Sequence, residues 1–283
     1  MDASEFLNQL DKGATLKEER LEVDQDDSRS VNELLAAQVE FADTLILNKC
    51  DLVSRERVDE LRALLTRMNP TAHLVEAVRS EVPLEEIVNT QRFKLEQAHN
   101  VDGFSTELTT PHFPETEEYG IGSLVFTSPK PFHPVRLHRL IFGDAPDDER
   151  HFAEASPLGK AYRSKGWFYL ANALGCRLTW SGAGRSIQFE VAAERWLASM
   201  LPEHLWPLDD EEWQPLFGDR VQKLVIISPA SHLPSIQTAL DAALLTDDEI
   251  QNPDQWSAMD CNRLWELEDS SDDEESLKQS VQE

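Results

Sequence analysis

The first sustained pattern of apolar and polar positions is helical. Ser30-Val31-Asn32-Glu33 has the form of a capping box, and Val31, Leu34, Leu35, Val39 and Ala42 follow as an apolar stripe. The run 44–47 comes directly afterwards, apolar and bounded by polar residues, as in a strand buried in a parallel sheet. Ser54 then predicts the N-cap of a second helix carrying Val58, Leu61, Leu65 and Met68 on one face, with Asn69-Pro70 to stop it. Residues 73–77 read as another strand, and Pro83 opens a short helix at 84–88. Helix, strand, helix, strand, helix is the closing half of a doubly wound α/β domain over residues 1–90. Residues 1–27 show a few apolar positions and then a charged, irregular stretch in which no element is predicted.

Residues 91–118 are polar, contain Pro111 and Pro114, and lack a period, which predicts a linker. A second domain is expected over 119–246. Its strands are predicted at 122–127, 160–170, 176–181, 186–191 and 221–228, with Ile187, Phe189 and Val191 alternating against polar neighbours. Pro134 suits the first turn of a helix that Gly143 ends, and further helices are predicted around 194–201 and 234–245. Adjacent, turn-linked strands imply an α+β domain with an antiparallel sheet and helices over one face.

Composition changes this picture in three ways. The chain has 283 residues, 40% of them hydrophobic, which excludes wholesale disorder. Its formal net charge of −27 argues against nucleic acid or an anionic membrane as a partner. The charge is uneven: residues 247–283 hold 13 acids against Arg263 and Lys278, which predicts a disordered acidic tail, with Trp256 and Trp265 as docking points within it. Cys50, Cys176 and Cys261 are sparse and form no C-x-x-C pair, as expected in a reducing compartment. The start MDASEFLNQLDKG has no basic leader or apolar core, and no run of about 18 apolar residues occurs, so an intracellular, cytoplasmic protein is expected.

The candidate chemistry lies at the carboxyl end of the 44–47 strand, where open α/β sheets bind ligands. Asn48, Lys49, Cys50 and Asp51 form an N-K-x-D sequence. An ionised Asp51 accepts only, and can take two hydrogen bonds from guanine N1–H and its N2 amino group. Adenine offers no matching donor pair. The Lys49 stem can lie along the base and Asn48 can tie neighbouring loops together. This is the guanine-specificity motif of GTPases, and the strand before it and helix after it supply its context. No G-x-x-x-x-G-K-[ST] occurs anywhere, so no phosphate-cradling loop is present in the sequence.

The chain resembles the CobW-like GTPases, a family of metal chaperones several of which are tied to zinc. The similarity rests on Met1-Asp2-Ala3, on residues 38–43 and 47–53, on Asn69-Pro70-Thr71-Ala72, on Arg163-Ser164-Lys165-Gly166-Trp167, and on Trp180, Gly184, Trp196, Gly218-Asp219-Arg220 and residues 240–246. It implies the end of a P-loop GTPase-like domain followed by the family's C-terminal domain. The relatives' P-loop, switch segment, C-x-C-C metal motif and magnesium-site carboxylate have no counterpart here. The resemblance therefore carries over only Asn48, Lys49 and Asp51, as guanine-binding residues, with GTP held by its base alone. It implies a GTP-linked metal chaperone, zinc being the expected metal without a site in this chain, and a client metalloprotein or other protein as partner. Hydrolysis by this chain alone is not expected, since phosphoryl transfer rests on phosphate positioning and metal charge.

Arg163, Lys165 and Arg220 form a possible nucleotide or partner contact, against the commoner role of lining a solvated face. His133 and His138 lie five apart, about 140° around a helix, and with His112 make a poor metal set. The alternative function is a non-catalytic interaction module using the second domain and the acidic tail.

Overall fold

A computed structural model describes residues 1–12, 30–93, 120–144, 150–207 and 213–259. The amino-terminal unit contains helix α1 (Phe6–Lys12), helix α2 (Val31–Phe41), strand β1 (Thr44–Leu47), helix α3 (Arg55–Met68) and strand β2 (His73–Glu76). Strands β1 and β2 pair in parallel, Thr44 opposite His73 and Leu47 opposite Glu76. The segment Met1–Ala3 runs beside the end of β1, through an Asp2–Asn48 bridge. The Ser30 capping box forms as expected, and the Ser54 side chain caps α3. Asn69 ends α3 and does more. Its amide donates to the carbonyls of Val39, Glu40 and Ala42 at 2.8–3.0 Å, satisfying the free end of α2.

The second unit is a five-stranded antiparallel sheet of order β3-β7-β4-β5-β6. Its strands are β3 (Ile121–Ser128), β4 (Arg163–Phe168), β5 (Leu178–Ala183), β6 (Ser186–Val191) and β7 (Gln222–Pro229), with helices α4 (Pro134–Phe142), α5 (Leu197–Met200) and α6 (Leu233–Ala243). Alternation sorts the strands between two cores. Phe126, Phe168, Trp180, Leu224 and Ile226 pack under Leu137 and Ile141 of α4 and Ile236 and Leu240 of α6. On the opposite face Ile121, Ala183 and Ile227 join Leu45, Leu47, Val58, Leu61 and Leu65 in one core with α1, α2 and α3. The helices are thus held between the parallel strands and the antiparallel sheet.

Polar contacts fix this arrangement. Arg163 on β4 pairs with Glu40 of α2, and its guanidinium also donates to the Gly182 carbonyl at 3.0 Å. Asn32, fully buried, donates to the carbonyls of Leu10 and Ala183. Gly184 turns β5 into β6 with φ +54°, and a Cβ there would lie 1.8 Å from the Leu10 carbonyl oxygen, so the position requires glycine.

Two expectations are corrected. Residues 1–27 do contain an element, α1, which buries Phe6 and Leu10 against the core. The tail is not disordered from residue 247. Thr246 caps a short helix α7 (Asp247–Ile250) with a capping box, a 3-10 turn (Pro253–Ala258) follows, and Trp256 is buried with Ala171, Phe217 and Leu245. Arg136 grips Glu249 through both carboxylate oxygens at 2.7–2.8 Å. Trp265, Cys261 and His112 lie outside the described residues, as does most of the expected linker.

Two outcomes follow from this packing. Glu40→Ala strands the Arg163 guanidinium, whose side chain is only 8% exposed, and should cost about 3 kcal/mol, lowering Tm by on the order of 6–12 °C. Replacing both partners by apolar residues should recover most of that loss; a Glu40→Ala melt unchanged from the parent chain would contradict the pairing. Arg136 holds the Glu249 carboxyl at about 2, below its usual 4.5. Its stabilising effect on the 247–259 segment is therefore complete above about pH 4.5 and lost as pH falls toward 2. Proteolysis by an acid-active protease should begin in this segment only over that window.

Candidate functional site

The N-K-x-D loop begins where β1 leaves the core. Leu47 is fully buried, and its carbonyl accepts from the Ala77 N–H at 2.8 Å, so the loops after β1 and β2 start side by side. Asn48 then joins three segments. Its N–H donates to the Met1 carbonyl, its own carbonyl accepts from the Ala3 N–H, and its side-chain amide exchanges two bonds with Ser80: Nδ2 donates to Oγ at 2.8 Å, and the Ser80 N–H donates to Oδ1 at 2.9 Å.

Lys49 adopts the left-handed region at φ 63°, and Arg79 and Ser80 in the facing loop do so at φ 51° and 61°. Each such residue costs on the order of 1 kcal/mol, and strain of this kind concentrates at ligand-binding loops. The Lys49 ammonium lies 2.6 Å from Asp2 Oδ2, while Oδ1 of Asp2 accepts from the Ser4 N–H and hydroxyl. Lys49 and Ser4 together hold the Asp2 carboxyl at about 2. The Lys49 side chain is otherwise about half exposed, at 49%.

Asp51 sits in the 3-10 turn Cys50–Leu52, which the Cys50 N–H anchors to the Ala77 carbonyl. Its carboxylate is exposed and has no hydrogen-bond donor or cation partner among the described residues. The carboxylate faces outward, so an arriving base would itself supply the cover. Two residues that bear on this site, Ser80 and Asp2, were not among those assigned to guanine from sequence. Ser80 gave no motif to find, and Asp2 is brought to Lys49 only by the fold.

The basic trio is not gathered at this loop. Arg163 is buried against Glu40, and Lys165 lies 3.8 Å from that same carboxylate. Arg220, also buried, donates to the carbonyls of Leu174 and Phe217 at 2.8 and 2.9 Å and to the Ser199 hydroxyl. Burial lowers its pKa from the usual arginine range. His133 stands at the start of α4, and the ring of His138 packs on Phe142. Among the described residues no three His, Cys, Asp or Glu side chains come together as a metal site, so zinc does not fit the donors seen here.

Residues 1–76 match the family model of the CobW/HypB/UreG nucleotide-binding domain, and residues 121–244 match that of the cobalamin synthesis protein cobW C-terminal domain. The chain is 37% identical over 257 residues to zinc-regulated GTPase metalloprotein activator 1 of Dictyostelium discoideum, an alignment covering 88% of this chain and 52% of that protein. A zinc chaperone of Mycobacterium tuberculosis is 27% identical over 241 residues, covering 82% of this chain and 54% of its own. The Zn(II)-bound YjiA GTPase from E. coli aligns over 87% of this chain and 59% of that one, at 19% identity and a TM-score of 0.35. The chain spans about half the length of the curated relatives it matches. With both units matched in chain order, the nucleotide-binding part first and the C-terminal domain second, the chain belongs to the CobW family.

Proposed function

We propose that the 48–51 loop recognises the guanine base of GTP or GDP. Asp51 accepts from N1–H and the N2 amino group, the Lys49 stem covers the base, and Asn48 holds the loop to its neighbours. The observation that supports this reading best is the outward carboxylate of Asp51, which has no partner among the described residues, beside a lysine paired with Asp2. This recognition serves a GTP-linked metal chaperone, as the names of the relatives suggest. The relatives' names point to zinc as the metal and to a metalloprotein as client. The donors for zinc and the groups for the phosphates would then come from outside the described residues. The chain itself supplies base recognition, and its sequence offers no P-loop with which to position phosphates for transfer.

A second reading, a non-catalytic interaction module, is favoured by exposed apolar side chains on the second unit, where Leu197, Met200, Leu205 and Leu216 are each about half or more exposed (49%, 56%, 58% and 70%).

A fluorescent guanine nucleotide titrated into the chain tests the first reading. Asp51→Ala removes two charge-assisted hydrogen bonds and should weaken binding on the order of 10–100-fold, with adenine nucleotides failing to compete in the parent chain. Equal affinity for adenine nucleotides would remove the assignment. GTP turnover by the parent chain that disappears in Asp51→Ala would show that the chain completes a catalytic site unaided.

A further inference from the structure

The amino-terminal helices cover only one end of the outer face of the five-stranded sheet. Ile227 and Arg163 are under them; four positions along each strand, Lys223 and Trp167 emerge on the same face and stand opposite each other in register. Here the chain after β6 folds over the sheet and leaves a cleft of about 360 Å³, lined by Trp167, Arg177, Trp196, Pro207, Trp213 and Lys223, with Leu197 and Asp219 at its margin.

The charges in this cleft are not equivalent. The Arg177 guanidinium lies 4.4 Å from the centre of the Trp167 ring and 5.2 Å from that of Trp196, stacked between the indoles, and bonds Glu194 at 2.9 Å. Asp219 is also committed, accepting the N–H groups of Leu197 and Ala198 at 2.8 and 2.9 Å. Lys223 differs. Its ammonium is 5.8 Å from the Trp167 ring centre and has no carboxylate partner among the described residues, in a chain with 53 acids and 26 Lys and Arg. Trp213 is 6% exposed, and its indole N–H has no acceptor among the described residues. Leu197 at the cleft margin is exposed, as are Met200, Leu201 and Leu205 after it in the chain.

We infer that this cleft is a docking site for a short acidic segment of a partner protein, one that sets a bulky apolar side chain into the cleft beside Trp167 and places a carboxylate on Lys223. The cleft is large enough for one such anchor, Trp167, Leu197 and Pro207 give it an apolar wall, and the Lys223 ammonium, without a carboxylate partner among the described residues, supplies the charge complement. Aromatic rings beside cations also suit single-stranded nucleic acid. The net charge of −27 disfavours that occupant, since a long polyanion meets the whole protein's field, whereas a peptide of a few charges responds to cations within about 8 Å.

The test uses the full chain and a labelled twelve-residue peptide, in which a Trp and a Leu three positions apart are flanked by glutamates, with binding read by fluorescence anisotropy. One-to-one binding is expected, weakened at least tenfold by Lys223→Glu and by raising salt from about 50 to about 500 mM. Trp167→Ala should abolish it. The fold of each variant is checked by its thermal melt, and Lys223→Glu carries the test if Trp167→Ala does not fold. The inference is overturned if the peptide does not bind, or if a version with lysine in place of each glutamate binds as well. It is also overturned if a single-stranded oligonucleotide takes the site in a Lys223-dependent way, or if the chain self-associates through it and Lys223→Glu returns it to a monomer.

Discussion

A parallel pair of four-residue strands cannot stand alone in water, and the burial of one end of the antiparallel sheet is what allows β1 and β2 to exist here. Leu45 and Leu47 reach a core only because α2 and α3 intervene between them and Ile121, Ala183 and Ile227. The same layer of helices is pinned by the Arg163–Glu40 pair, by Asn32 reaching Leu10 and Ala183, and by the close approach at Gly184. The two units matched separately by family models are therefore one folding problem, and disturbance at their shared core should reach the loop that ends β1.

That loop inherits its geometry from this packing. With β1 and β2 fixed, the Leu47 and Ala77 backbones hold the two strand ends together, and Asn48 can satisfy both the Met1–Ala3 segment and Ser80. The left-handed residues Lys49, Arg79 and Ser80 lie in the two loops that these bonds join. The loop then carries the Lys49 ammonium against Asp2 and an exposed Asp51 carboxylate with no partner among the described residues. On the proposed reading, this ordering before a ligand arrives would lower the cost of binding a base.

The regular elements were legible because local and tertiary signals agree in them. Ser30-Val31-Asn32-Glu33, Ser54 and Pro134 each mark a helix start where the structure has one, and the strands 186–191 and 222–229 lie close to their predicted limits of 186–191 and 221–228. Failures fell where stability is imported from elsewhere. Helix α1 has seven residues, too few to declare themselves by period, and its Phe6 and Leu10 matter only against a distant core. Residues 247–259 look like a solvated acidic run, yet Arg136 and the pocket around Trp256 order them. Arg163 reads as a surface strand residue because its partner, Glu40, is 123 positions away. For the site, the motif gave Asn48, Lys49 and Asp51, while Asp2 and Ser80 became visible only when their loops were placed together.

The central claim is that Asp51 reads guanine by accepting from its N1–H and N2 amino group. Xanthine carries an oxygen where guanine carries the amino group, and an asparagine amide can donate to that oxygen. The most direct measurement is therefore the ratio of affinities for guanosine and xanthosine diphosphates in the parent chain and in Asp51→Asn. The account predicts that the parent prefers guanosine diphosphate and that the variant reverses the preference. An unchanged ratio would mean that Asp51 does not face the base.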